Sequence, residues 1–468
     1  MKNNKGITLI ALVITIIVML ILVGVTVSAA INGKLFDTAK KAAKDTEKAK
    51  QEELDYMEDA KNKIDEILGV TTDDKVEEII SKPVEGETEV YAILFSDGTM
   101  ELRKEKPTET ENVVFKTDES FSNKLFKSQE EIPWISYVDS IKEVKIADEI
   151  VPRTTARWFQ GLKNLTTISN IENLKTDKVV SMESMFEGCT SLKEVDVSRF
   201  NTQEVINMSF MFYGCTGLEN LDVSNFDTSK VTTLYAMFYD CRKVKTLDVA
   251  NWDTSNVKNM GWMFYRTSVT KLSVENWKTN KVESFTHMFW QCEKVTELNL
   301  SKWDTSSATN MNAMFARCYG LTKIDVSSFN TSKVKDMVWM FRMCSSLSKL
   351  DISNFDTSNC LYFYWMFESC SNLEELNLGN INTSKVESYH GMFNGCTKIK
   401  TTITIDAKAL EGVKIDKDHG YAQMLSGAAT AEGAQITIRY KASQKDIIDK
   451  MVETKSANSN IVLEVVAE

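Results

Sequence analysis

Cysteine is the residue type in this 468-residue chain whose chemistry has to be decided first. Eight of the nine cysteines lie four residues after the methionine of a Met-Phe pair; they are Cys189, Cys215, Cys241, Cys292, Cys318, Cys344, Cys370 and Cys396. One thiol in each 26-residue interval does not supply the close Cys-x-x-Cys pairs of a structural zinc site. Stacked strands also present parallel Cβ vectors, which suit a disulfide poorly. We therefore expect a buried, reduced cysteine ladder that packs like small apolar residues.

The ninth cysteine, Cys360, falls outside that rule. The stretch F-D-T-S-N-C aligns with F-D-T-S-K-V of another repeat, so Cys360 takes the place that Val231 has there. Cys360 and Cys370, which bracket a run of aromatic residues, are therefore predicted to be two separate core positions and not a redox or metal pair.

No other residues form a recognisable catalytic or ligating pattern. The three histidines, His287, His390 and His419, lie far apart, and no H-E-x-x-H, G-x-S-x-G or P-loop motif occurs. The sequence therefore predicts no catalytic residues, no cofactor site and no metal site, and a protein that is not an enzyme.

Two further ladders have both a binding interpretation and a structural one. The aromatic ladder could stack sugars, but core packing is favoured because Ile381 replaces the aromatic residue in one repeat; its members are Phe200, Phe226, Trp252, Trp277, Trp303, Phe329 and Phe355. The aspartates Asp196, Asp222, Asp248, Asp325 and Asp351 form a column that could attract a cation or a basic partner. A solvated face is favoured for them, because Ser273, Asn299 and Asn377 interrupt the column. The recurrent F-D-T-S stretch predicts hydrogen-bonded turns.

These ladders depend on an internal repeat. Met-Phe pairs begin at Met185, Met211, Met237, Met263, Met288, Met314, Met340, Met366 and Met392, with gaps of 26 residues and one of 25. Such a period is typical of a solenoid. In one unit Leu221 and Val223 alternate with a polar residue, which predicts a short strand. Val231, Leu234, Met237 and Cys241 follow at spacings of three or four, which predicts a helical or 3-10 turn. Stacked units would form a parallel β-sheet.

The repeat also resembles a known family. The pattern L-x-x-L-D-V-S-x-F-D-T-S-x-V-x-x-M-x-x-M-F-x-x-C is similar to the BspA-like class of leucine-rich repeat, over roughly 158–400. This resemblance implies a bacterial surface protein, and the class includes adhesins for host proteins or other cells.

The N-terminus predicts a membrane segment. Residues 7–30 carry no charge, and 24 helical residues span about 36 Å, enough to cross a bilayer core. Lys2 and Lys5 precede this segment, so the positive-inside rule places the rest of the chain outside the cell.

The stretch K-G-I-T-L-I-A-L-V resembles type IV prepilins and pseudopilins, which implies cleavage by prepilin peptidase between Gly6 and Ile7. Ala11 stands where that family usually has glutamate, which places ordinary fibre assembly in doubt; an uncleaved signal anchor and signal-peptidase release are the alternatives.

The remaining patterns complete the domain organisation. Asp97-Gly98 between two β-prone runs predicts a hairpin. The C-terminal Q-I-T-I-R-Y, a polar helix from about Ser443 and I-V-L-E-V-V predict a β-α-β cap. The predicted divisions are a leader (1–6), a transmembrane or pilin-like helix (7–30), a helical stalk (31–69), a small β-hairpin unit (70–106), a linker with an N-terminal cap (107–157), the leucine-rich repeat solenoid (158–400) and a C-terminal cap (401–468).

Charge and architecture together predict the class of function. A net charge of -11 and a pI near 5.2 disfavour nucleic acid as a partner. An anchor, a stalk and a capped solenoid favour a protein of the cell membrane with an extracellular C-terminal domain, acting in adhesion or recognition of a host or cell-surface protein or glycan. The alternative is a minor pilin or pseudopilin that caps a type IV pilus-like fibre and binds pilin or pseudopilin subunits.

Overall fold

A computed structural model describes residues 72–413, 415 and 420–467 of the chain. The described residues belong to one compact unit, Thr72–Glu468. The predicted leader, membrane segment and stalk, with Gly6 and Ile7, lie outside the described residues, as does His419. Within the described ranges no helix has both the length and the apolar character needed to span a bilayer.

The regular elements of the described residues lie mainly on either side of coils 1 to 4. They are α1 (Thr72–Ile80), β1 (Tyr91–Phe95), β2 (Thr99–Arg103), β3 (Val113–Lys116), β4 (Glu143–Ile146), β5 (Thr167–Ser169), β6 (Glu297–Asn299), β7 (Lys323–Asp325), β8 (Lys349–Asp351), β9 (Glu375–Asn377), β10 (Lys400–Thr404), β11 (Gln435–Lys441), α2 (Lys445–Val452) and β12 (Ile461–Val466). Short 3-10 segments lie at Gln129–Glu131, Ile135–Tyr137, Ile171–Asn173, Ala407–Leu410 and Ala442–Gln444.

A five-stranded sheet closes the N-terminal end of the solenoid. Its order is β3-β1-β2-β4-β5, and β1 and β2 form the antiparallel hairpin predicted at Asp97-Gly98. Gly98 has a φ of 93°, which suits glycine in this tight turn. Strand β4 pairs in parallel with β2 and with β5. The residues predicted as a hairpin unit, 70–106, and those predicted as linker and cap, 107–157, therefore contribute to one sheet, which continues into the first coil.

An aromatic cluster packs beneath this sheet. The ring centroids of Phe121 lie 5.2 Å from those of both Trp134 and Trp158, in edge-on contacts, and Phe126 lies 6.3 Å from Trp134. All four side chains are buried. Trp158 stands where later coils have the methionine of Met-Phe, so the first coil uses its larger side chain to join the solenoid core to the cap.

Nine Met-Phe coils follow this first coil in the solenoid, and we number them 1 to 9 from Met185 to Met392. Parallel pairing joins β6 to β7 and β8 to β9, as predicted. Between residues 194 and 296 the corresponding positions are not regular strands, and a single bridge, Glu194 to Asn220, marks the sheet there. The predicted parallel sheet is therefore interrupted in coils 1 to 4.

The Met-Phe segments correct one prediction, because no helix forms there. Each coil has left-handed backbone one residue before and three residues after its methionine, for example Phe210 at φ 59° and Gly214 at φ 68°. Turn bonds such as Met211 N to Met208 O, 3.3 Å, alternate with bonds to the next coil such as Phe212 N to Met237 O, 3.0 Å. Left-handed residues interrupt a right-handed helix and turn alternate N–H groups along the solenoid axis.

Apolar ladders fill the interior of the coils. The Met-Phe phenylalanines from Phe159 to Phe393 lie 5.3 to 5.9 Å from their neighbours, most with stacked rings. The aromatic ladder from Phe200 to Phe355 is also buried, and the indole N–H of Trp277 donates to Val249 O at 2.9 Å. Core packing is thus confirmed for this ladder, and sugar stacking on it is excluded.

The F-D-T-S stretches combine two kinds of hydrogen bond. Asp227 accepts from the N–H of Ser229 at 2.9 Å, which confirms the predicted turn. The hydroxyl of Thr228 instead donates to the backbone oxygen of Asp253 in the next coil at 3.0 Å. Equivalent threonines do the same along the solenoid, so this position ties neighbouring coils together.

The C-terminal cap has the β-α-β order expected from its sequence. Strands β10, β11 and β12 are parallel, and α2 crosses between β11 and β12. Met424 and Ala428 are buried in line with the methionine and cysteine slots of coil 9. Tyr389 N donates to Gly420 O at 2.6 Å, which joins coil 9 to the cap.

Candidate interaction face

The ladder cysteines are buried, and their thiols form hydrogen bonds with backbone oxygens. All nine cysteines are free and buried, and each ladder thiol points at the Met-Phe phenylalanine oxygen of the preceding coil, as in Cys215 Sγ to Phe186 O, 3.0 Å. Burial raises the pKa of these thiols, to about 12 for Cys292 and Cys370. The predicted packing is confirmed, and the ladder offers no reactive thiolate.

Cys360 and Cys370 have separate surroundings. Cys360 Sγ contacts Tyr362 O at 3.5 Å, whereas Cys370 Sγ donates to Phe341 O at 3.0 Å. Burial raises the pKa of Cys360 to about 12 as well. The two positions are core sites of one coil, as the alignment of the repeats predicts.

Among the described residues, the histidines and the column aspartates lie in separate surroundings. His287 and His390 are buried at different coils, and across residues 72–413, 415 and 420–467 no group of three His, Cys, Asp or Glu side chains could hold a metal ion. The column aspartates close local turns, as Asp222 does with the N–H of Ser224 at 3.0 Å. Hydrogen bonds from Ser224 lower the pKa of Asp222, so its charge is satisfied locally.

A different set of residues makes an unusual surface, which we call the variable face. It comprises the four positions at one and two residues before, and two and three residues after, each Met-Phe methionine. In coils 2 to 9 these positions hold Phe210, Tyr213, Tyr235, Tyr239, Trp262, Tyr265, His287, Trp290, Trp339, Tyr364, Trp365 and His390. Six of these twelve rings are buried beneath the face, and the other six are half-buried: Phe210, Tyr213, Trp290, Trp339, Tyr364 and Trp365.

The rings of the variable face stack on one another along the solenoid axis. Tyr213, Tyr239 and Tyr265 form a column with centroids 4.3 Å apart and planes 13° apart. In the next coils the imidazole of His287 lies 3.9 Å from Trp262, with planes 3° apart, and 4.6 Å from Trp290. These contacts join the rings of coils 2 to 5 into one aromatic network along the solenoid axis.

Arginines lie over the rings of this face. The guanidinium of Arg266 lies 5.7 Å from the ring of Tyr265, and that of Arg317 lies 5.8 Å from Trp290. Arg342 lies 5.4 Å from Trp339 and 5.7 Å from Trp365. Such cation–π contacts hold the guanidinium planes in fixed positions among apolar rings.

The single short repeat opens a notch beside this face. In coil 3 the next apolar residue lies three positions after Cys241. In coil 4 the corresponding residue, Val269, lies only two positions after Thr267, so coil 4 is one residue shorter. A notch of about 230 Å³ is present there, and its lining includes Arg266, Gln291 and Lys294. The 25-residue spacing in the sequence therefore marks a real irregularity of the surface.

The sequence contained a signal for this face that motif searches do not use. The flanking positions of Met-Phe are small or polar in coil 1 and aromatic through most of the later coils. The apolar spacing alone predicts a helix in the Met-Phe segments. A helix would point the flanking side chains in other directions. The left-handed residues place them together on one surface.

Comparison with known families supports the repeat assignment. The family described as "Mycoplasma protein of unknown function, DUF285" matches five overlapping segments, at 153–269, 196–297, 234–323, 292–406 and 320–430. Together these segments span more than half of the 468 residues. The chain belongs to the DUF285 family. The matched region contains every Met-Phe coil and the whole variable face.

A comparison with solved structures also gives a likeness. A leucine-rich repeat protein from Eubacterium ventriosum, solved by crystallography, is 14% identical, with coverage of 74% of this chain and 90% of that chain and a TM-score of 0.33. A search among curated proteins gave no match.

Proposed function

We propose that this protein recognises a partner at the variable face, as a membrane-anchored adhesion or recognition protein of the cell surface. The observation that carries this proposal is the concentration of half-buried tryptophan and tyrosine rings with stacked arginines on one side of the coils. Trp, Tyr and Arg are enriched among the few residues that carry most of the binding energy at protein interfaces. Elsewhere the exposed coil positions carry mainly charged and small polar residues, as in a solvated surface.

Other features agree with this proposal. The repeat resembles BspA-like leucine-rich repeats, whose members include adhesins. The apolar segment 7–30 would anchor the chain and direct residues 31–468 outside the cell. A capped solenoid presents a broad, rigid surface suited to a protein or glycan ligand. We propose no enzymatic activity.

The proposal is tested with the full-length chain displayed on cells and with the detergent-solubilised protein. The double variant Trp339→Ala/Trp365→Ala removes two half-buried rings, and Tyr137→Ala removes a half-buried ring of the N-terminal cap as a matched control. Binding is measured on panels of extracellular-matrix proteins, glycans and whole cells. We expect the double variant to lose at least about tenfold in affinity and the control to keep wild-type affinity. Equal binding by all three proteins, or no binding by the wild type, would contradict the proposal.

A second candidate rests on the N-terminal sequence. The stretch from Lys5 through Ala11 resembles a prepilin or pseudopilin start, so the chain is also a candidate minor pilin processed by prepilin peptidase between Gly6 and Ile7. A Gly6→Leu variant should then retain its leader and fail to co-purify with pilin or pseudopilin subunits. Unchanged processing and unchanged surface display of that variant would rule the candidate out.

A further inference from the structure

We infer that coils 5 to 7 of the variable face form a binding site for a saccharide that carries one carboxylate. The inference rests on the proposed function, because it assigns a ligand class to part of the same face. Arg317, Trp290 and Trp339 are the residues that would recognise it.

The first observation is a group of buried polar atoms without hydrogen bonds. Among the described residues of coils 5 to 7, Nε1 of Trp290 and Trp339, Nε of Arg317 and Oδ1 of Asn312 are buried and have no hydrogen-bond partner. Native proteins leave few buried polar atoms unsatisfied, because each one costs free energy. Three of these four atoms are donors, so the missing partner is rich in acceptor oxygens.

The second observation is a floor of small residues between the two tryptophans. Coil 6 carries Ala313 and Ala316 where its neighbours carry large side chains, and both alanines are buried. The rings of Trp290 in coil 5 and Trp339 in coil 7 meet edge to face across coil 6, with centroids 5.9 Å apart. Rotation of these two half-buried rings would expose the alanine floor and turn both indole N–H groups toward a bound ring.

The third observation concerns charge. Arg266 lies 3.5 Å from Asp240, and Arg342 donates to Glu368 at 2.5 Å. In the part of the chain that the structure describes, Arg317 has no carboxylate within ion-pair distance, although it lies at the same site as the unsatisfied indoles. A guanidinium matches a carboxylate in both charge and geometry, so a carboxylate of the ligand would form an ion pair with this arginine.

These observations together select the ligand class. A pyranose ring offers an apolar face to an indole ring and acceptor oxygens to its N–H group, as the amphipathic character of tryptophan requires. The net charge of -11 opposes a polyanion such as a sulfated polysaccharide or a nucleic acid, whereas a single carboxylate needs only one local cation. A uronic acid or sialic acid residue at the end of a neutral glycan has this chemistry.

The experiment measures binding of full-length protein in detergent by calorimetry. The probes are a sialic-acid-terminated trisaccharide, 3′-sialyllactose, its neutral parent lactose, a glucuronic-acid-terminated disaccharide and a glutamate-rich peptide. The variants are Arg317→Gln and Trp290→Phe, with Lys323→Ala as an exposed-cation control from the strand of the same coil. Circular dichroism confirms folding of each variant.

We expect the wild type to bind at least one acidic saccharide about tenfold or more tighter than lactose. Arg317→Gln should abolish this preference. Trp290→Phe should lower the affinity for every saccharide, and Lys323→Ala should leave all the affinities unchanged. No preference for an acidic saccharide, or a preference that survives Arg317→Gln, would overturn the inference, as would Arg317-dependent binding of the peptide alone. If the saccharides fail while Trp339→Ala/Trp365→Ala still reduces cell binding, the recognition function stands and only the ligand class is wrong.

Discussion

Each ladder thiol donates to a backbone oxygen of the preceding coil, which explains why the slot favours cysteine over a purely apolar residue. Cys241 Sγ lies 3.2 Å from Phe212 O, and Cys318 Sγ lies 3.0 Å from Phe289 O. Thr267, the exception, donates instead to Phe264 O of its own coil at 3.0 Å. In each of the nine Met-Phe coils the slot therefore holds a small side chain with a donor.

The buried imidazole of His287 makes a prediction about pH. Burial lowers the pKa of His287 well below its ordinary 6.5, so the folded protein resists a proton that the unfolded chain accepts. Below pH 6.5 the unfolded state binds more protons, so the free energy of unfolding falls as the pH drops. The variant His287→Phe should show a smaller fall between about pH 7 and pH 5 in urea denaturation.

Phenylalanine is a suitable replacement for His287. Phe210 already occupies the same left-handed position in coil 2, so phenylalanine is compatible with the backbone there. His390 and His419 are present in both proteins and affect both equally. An identical pH dependence for variant and wild type would show that His287 does not resist protonation.

At the scale of the element, the Met-Phe segment is a series of turns with two left-handed residues per coil. The second left-handed position is glycine in coils 1, 2 and 9, but it holds a side chain in the others, such as Ser369 at φ 58°. A left-handed backbone costs a non-glycine residue roughly 1 kcal/mol. The coils accept this cost because the conformation directs alternate N–H groups to the neighbouring coil.

Replacement of Ser369 with glycine should therefore stabilise the solenoid. The variant removes the left-handed cost, so we expect the free energy of unfolding to rise by about 0.5 to 1 kcal/mol. The matched control is Ser371→Gly, two residues later, where φ is not positive and glycine should destabilise. Urea denaturation compares the two; a loss of stability in Ser369→Gly would contradict the prediction.

At the scale of the molecule, both ends of the solenoid are covered. The N-terminal sheet and its aromatic cluster cover the first coil, and β10 to β12 with α2 cover coil 9. A coil contacts mainly its neighbours, so stability in such a fold is a sum of local terms. A substitution that destabilises one cap should then destabilise only the few coils nearest to that cap.

The variant Trp134→Ala tests this locality. Loss of a buried tryptophan from the N-terminal cluster costs about 3 to 5 kcal/mol in the cap. Hydrogen exchange should show lost protection in the N-terminal sheet and the first coils, with unchanged protection in coils 6 to 9. Met451→Ala, at the buried face of α2, is the counterpart and should affect the C-terminal end. Uniform loss of protection along the chain in either variant would contradict the local description.

The sequence by itself determined the solenoid and the composition of its core. A period of 26 residues requires stacked coils, and a position that stays apolar in successive coils must face inward, since each coil buries itself only against its neighbours. The hairpin at Asp97-Gly98 and the closing β-α-β cap followed from local turn and strand chemistry. The burial of the cysteines and of the Phe200 to Phe355 ladder could therefore be predicted residue by residue.

Only the tertiary structure decided the backbone of the Met-Phe segment and the surface that it creates. Apolar spacings of three and four fit both a helix and a series of turns, and the choice depends on hydrogen bonds to the next coil, such as Phe212 N to Met237 O. The same bonds bring Trp290, Trp339 and Arg317 from three different coils to one site. Residues more than 20 apart along the chain become neighbours only when the coils stack, so the aromatic residues beside Met-Phe mark unusual positions in the sequence but do not reveal the face that they form.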